Sequence, residues 1–146
     1  MATFPQVPET GVGVSGEPIR GTITLQVPAT SAHTAIARSA VASTVAAVGA
    51  TADDVDDLRL VVSEAFALLL EHSHADALIT IHLQHRDELM HVTLITTTSN
   101  SAPVLEQSLS WTVLTTLAES VDVVVQPADP LFELTLTVQH RVQIPS

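Results

Sequence analysis

Two periods of apolar residues divide the chain into elements. From Ile19 the spacing is two: Ile19, Ile23, Leu25 and Val27 are set against Arg20, Thr22, Thr24 and Gln26. This predicts a strand that Pro28 stops. The spacing then turns helical. Ile36, Val41, Val45 and Val48 make a stripe over about 31–48, with Thr30 or Ser31 as cap and Gly49 as the C-terminal stop. A second helix is expected over about 52–71. Leu58, Val61, Val62, Ala65, Phe66 and Leu69 recur at three and four, and Thr51 with Asp54 has capping-box spacing.

Alternation returns at Ile79, Ile81 and Leu83 and again at Met90, Val92 and Leu94, joined by the polar link Arg86-Asp87-Glu88, which reads as a hairpin turn. A polar stretch from Thr96 to Ala102 leads through Pro103 to a third helix over about 107–119, its buried side marked by Trp111, Leu114, Leu117 and Ala118. Strands over 121–126 and 132–139 close the chain, with Pro127 to Pro130 turning between them. The order βααββαββ, with each strand apolar on one side only, predicts an α+β fold in which helices cover one face of a sheet, a two-layer sandwich. Residues 1–18, with Pro5, Pro8 and Pro18 among Gly, Ser and Thr, read as a flexible N-terminal tail. Residues 19–142 read as the domain and 143–146 as a C-terminal tail.

Composition narrows the chemistry. The chain of 146 residues is 46% apolar, enough for a sizeable core. Its longest apolar run, Ala65 to Leu70, falls far short of the roughly 20 residues of a membrane helix. No charged-then-apolar leader opens it, and it has no cysteine, which excludes disulfides, thiol catalysis and zinc–cysteine sites. A cytoplasmic protein is expected. Sixteen acids face five bases, all arginine, for a net charge of −11. That balance opposes nucleic-acid binding and favours a basic partner. All five glycines lie at or before Gly49, so the rest of the chain lacks the residue that lets backbone approach a phosphate.

The local motifs are weak. Gly11 to Gly16 spells GxGxxG, but without a preceding strand or following helix it reads as chance. Asp53, Asp54, Asp56 and Asp57 stand where acids complement a helix dipole. The seven histidines (His33, His72, His74, His82, His85, His91 and His140) show no metal-ligand spacing, although His82 and His91 fall on neighbouring strands and could approach each other. No metal site is expected. No nucleophile elbow occurs.

The segment Leu58-Arg59-Leu60-Val61-Val62-Ser63-Glu64-Ala65-Phe66 resembles the N-box helix of the anti-sigma factor kinases of the RsbW/SpoIIAB type, within the GHKL (Bergerat-fold, histidine-kinase-like) ATPases. The likeness extends over about 19–140. Leu25 to Ala29 resembles the opening strand, and Ile36 to Val41 the first helix with its arginine. Ser110 to Leu114 and Ala118 to Asp122 resemble the late helix and the strand after it, in wording similar to actinobacterial anti-sigma F factors. The resemblance implies a GHKL-type sandwich, a bacterial regulator of transcription in the stress response, and a homodimer. It also implies a sigma factor and a STAS-type anti-sigma antagonist as partners, with Arg38 in the partner-binding surface.

The family's N-box is Glu-x-x-x-Asn, with glutamate as general base and asparagine on Mg²⁺. Here Glu64 is kept and Leu68 replaces the asparagine. Thr96, followed by Thr98, stands where the adenine-reading aspartate would be. Ser110 replaces a nucleotide-box glycine, and Leu131-Phe132 the usual Gly-Thr. Glu64, Leu68, Thr96, Thr98 and Ser110 are therefore expected to be remnants of a nucleotide pocket. The family's ATP and Mg²⁺ are expected to be lost, and Glu64 to be a vestigial base. The expected function is sequestration of a sigma factor, ended by a competing antagonist. The alternative is an active ATP-dependent serine/threonine kinase that phosphorylates the antagonist.

Overall fold

The computed structural model describes residues 21–144. The proposed N-terminal tail, its GxGxxG motif, Ile19 and Arg20 lie outside them, as do Pro145 and Ser146. The elements are β1 (Ile23–Pro28), α1 (Thr34–Ala47, after a 3-10 turn at Ser31–His33), α2 (Ala52–His72), β2 (Leu78–Arg86), β3 (Leu89–Thr98), α3 (Leu109–Leu117), β4 (Ser120–Ala128) and β5 (Leu131–Arg141). This is the expected order.

All strand pairs are antiparallel, and the sheet runs β1-β2-β3-β5-β4. The register aligns Leu25, Ile81, Leu94, Leu136 and Val123 in one row across all five strands. That inner face is apolar and covered by helices. The opposite face carries rows such as Thr24, His82, Thr93, Thr137 and Asp122. The helices lie in the order α1, α2, α3, with α2 central over β3, α1 toward β2 and α3 toward β4.

The core is built around α2. Leu58, Val61, Val62, Ala65, Phe66, Leu68 and Leu69 are all fully buried. Each large side chain of this set contributes about 1.5–3 kcal/mol by leaving water. Thr51 caps the helix as its spacing predicts, with Oγ1 accepting from the Asp54 amide at 3.2 Å. The reciprocal half of the capping box is missing, because Asp54 turns its carboxylate to the Gln143 amide instead. Gly49 ends α1 with φ at +84°, a left-handed conformation that disfavours any residue with a Cβ.

Several boundaries and faces differ from expectation. Ile36 is 49% exposed and Ala37 takes the core position, so the buried stripe of α1 is Ala37, Val41, Ala42 and Val45. The helix packs through small residues, which leaves the larger Ile36 for solvent. Thr96 to Thr98, the first part of the polar stretch after Leu94, finish β3, paired to β5 from Leu134 to Phe132. α3 is shorter than the predicted 107–119. Only Leu114 of its four expected core residues is fully buried, while Trp111, Leu117 and Ala118 sit half-buried at the margin. Gln143, placed in the tail, is held on both sides: its carbonyl accepts from the Thr51 amide and its amide donates to Asp54.

Candidate functional site

The residues assigned to a nucleotide pocket lie on α2, β3 and the first turn of α3, and three of them are closed to solvent. Leu68 projects from α2 into the core with no exposed surface. Thr96 and Thr98 lie on the inner face of β3 and are equally closed, at 2% and 1% exposure. The Thr96 hydroxyl donates to the Leu78 carbonyl at 3.0 Å and lies 3.0 Å from the Ser73 hydroxyl, which donates to the Leu69 carbonyl at 2.7 Å. These two hydroxyls join the end of α2 to β2 and β3. Thr98 Oγ1 accepts from the Asn100 amide, turning the chain out of the strand. Ser110 lies in the first turn of α3, its amide donating to the Ser108 cap. Glu64 is half-buried on α2, one turn before Leu68.

The outer side of the helix layer carries a groove of about 450 Å³ between α1 and α2, lined by Ala35, Arg38, Ser39, Asp56, Arg59, Leu60 and Ser63. A shallower hollow on α1 continues it past Ile36, Ala40 and Ser43. Arg38 is exposed and has no carboxylate within 4.0 Å among the described residues. Among the described residues Arg59 reaches only Asp56, at 4.0 Å, one turn away on the same helix. Ile36 and Leu60, 49% and 43% exposed, supply apolar area at this surface. The groove thus combines two arginines with exposed aliphatic side chains on a molecule whose net charge is −11. Arg38 alone was expected here. Arg59 and Ser63 were not, although both sit within two turns of Glu64 and off the apolar stripe of α2.

The acidic cluster divides. Asp53 and Asp56 are exposed in the first turns of α2, as dipole-complementing acids would be. Asp54 is buried at 8% and faces His140 of β5, and Asp57 joins them. His82 and His91 share the outer sheet face but are not directly paired: His82 stands opposite Thr93, and His91 opposite Gln84. His82 Nδ1 lies 2.9 Å from Thr24 Oγ1. Burial lowers the pKa of His91, helped by the Arg86 guanidinium and, less strongly, by His85, against an opposing pull from Asp87.

The fold and its sequence place the chain in a family. Residues 27–125 match the histidine kinase-like ATPase domain, and the chain belongs to that family. Its fold is similar to the crystal structure of the RsbU and RsbW domains of Rv1364c from Mycobacterium tuberculosis, with a TM-score of 0.67 at 18% identity. That likeness covers 88% of this chain and 34% of the other, so the present chain spans about a third of its length. No curated protein matches the sequence. No helix among the described residues is long and apolar enough to cross a membrane.

Proposed function

We propose that this chain is an anti-sigma factor that works by sequestration. It holds a sigma factor at the α1/α2 groove around Arg38 and releases it when a STAS-type antagonist competes. It performs no phosphoryl transfer. The observation that carries this reading is Leu68. The resemblance puts the Mg²⁺-bearing asparagine at this position, and the side chain is an aliphatic core residue with no exposed surface. A hard cation needs oxygen ligands, which leucine does not have. The closed hydroxyl pair at Thr96 and Ser73 supports the same loss at the adenine-reading position. Glu64, without a metal beside it, has no role in moving a phosphoryl group.

The groove supports the binding half of the proposal. Arg38 offers a fixed charge with planar donors and, among the described residues, no carboxylate within 4.0 Å, beside exposed Ile36 and Leu60. The overall negative charge steers a basic partner toward the molecule, while Arg38 selects an acidic group at the point of contact.

Two measurements test the halves separately. In a pull-down, the cognate sigma factor is retained at micromolar concentration. Arg38→Glu weakens that binding about tenfold or more, the scale of a hot-spot arginine, without changing the melting temperature. Failure to bind sinks the anti-sigma reading. In a thermal shift assay, Mg·ATP leaves the melting temperature where it was. A ligand of the native state would raise it, and such a rise would favour the active kinase.

A further inference from the structure

Where the first turns of α2 meet the end of β5, Asp54, Asp57 and His140 converge. One ligand atom from each lies within 4.8 Å of the others. The His140 ring is nine-tenths buried, and its Nδ1 lies 3.1 Å from the Leu117 carbonyl. A carbonyl only accepts, so Nδ1 carries the proton and donates it. In the neutral ring, Nε2 is then a bare lone pair. It points at Asp54 Oδ1 and Asp57 Oδ2, each 3.9 Å away.

Those distances are too long for hydrogen bonds. They suit an ion held between the three atoms. Nitrogen and oxygen ligands at about 2.1 Å from one metal stand about 3.4 Å apart at a tetrahedral angle and about 4.2 Å apart when opposed. The surrounding groups also have the form that metal sites use. The second nitrogen of the histidine is fixed by a backbone carbonyl, and the second oxygen of Asp54 accepts from the Gln143 amide at 2.6 Å. The Asp57 side chain is 47% exposed, which leaves an entry path.

We infer that Asp54, Asp57 and His140 form a binding site for one divalent transition-metal ion of the Zn²⁺ class. One imidazole and two carboxylates favour such an ion over the hard cations Mg²⁺ and Ca²⁺, which take oxygen alone. The role is structural. The ion clips the start of α2 to the last strand and, through Leu117 and Gln143, to the end of α3 and the segment after β5. This site is separate from the α1/α2 groove and independent of the anti-sigma reading.

The test is a titration of the chelator-treated full chain with ZnCl₂ at neutral pH, followed by calorimetry and thermal melting. Binding of one equivalent with a rise in melting temperature is expected. Asp57→Asn, chosen because Asp57 is half-exposed and tolerates substitution, should fold normally, lose at least tenfold in Zn²⁺ affinity and lose most of the rise. Equal binding by wild type and Asp57→Asn would assign the ion to other histidines and overturn the site. So would an absence of Zn²⁺ binding by the wild-type chain.

Discussion

At the scale of the residue, Leu68 has the largest consequence. It sits at the fifth position of a Glu-x-x-x-Asn pattern, and its burial shows that the helix turns this position into the core. Leu68→Asn removes aliphatic volume and leaves an amide without partners in an apolar interior. It should destabilise the protein by roughly 3–5 kcal/mol. Urea unfolding measures this, and an unchanged midpoint would mean that the side chain reaches solvent. Glu64 has a different environment one turn earlier, half-buried at the edge of the same helix face. Its identity is legible in the sequence, but what remains around it is decided by Leu68, Thr96 and their neighbours.

At the scale of the element, the hairpin between β2 and β3 shows how local chemistry and geometry diverge. The polar link Arg86-Asp87-Glu88 signals a turn. The turn itself has Asp87 at φ +52° and Glu88 at φ +65°, with Arg86 paired to Leu89. Both central residues are left-handed, a conformation that strongly favours Asn-Gly. Glu88→Gly should therefore stabilise the chain by about 0.5–1 kcal/mol. The exposed Glu88–Arg141 contact that it removes contributes little. A rise in the urea midpoint checks this, and a fall would show that the ion pair outweighs the backbone strain. The third helix teaches the converse. Its apolar periodicity is sound, but α3 lies at the margin over β4, so only Leu114 meets enough neighbours to be fully buried. Periodicity identifies the inward side of a helix, not how deeply that side is covered.

At the scale of the whole molecule, the sheet has one face under helices and an opposite face that includes many threonines, glutamines and histidines. His91 belongs to the second, yet its neighbours and partial burial lower its pKa. Between that lowered value and the ordinary 6.5, the folded chain holds fewer protons on His91 than the unfolded chain does. Stability therefore rises with pH through that window, and the penalty is complete below the folded-state pKa. Unfolding measured from mildly acidic to neutral pH should show this slope, and His91→Gln should flatten it. An identical slope in the variant would place the linkage on another histidine. The net charge of −11 acts at the same scale, since it sets which partners are drawn in before any particular residue is met.

The succession of strands and helices was set by the sequence alone, because hydrophobic period and capping act over a few residues. Alternation even places His140 on the inner side, in line with Leu134, Leu136 and Val138. The register of the sheet and the seating of α2 decided the rest: that Asp54 would meet His140 rather than cap its own helix, that Thr96 would close on Ser73, and that Ile36 would remain outside. Those outcomes depend on which distant segments pack together. Packing sums many weak contacts across the whole fold, and no local spacing encodes that sum.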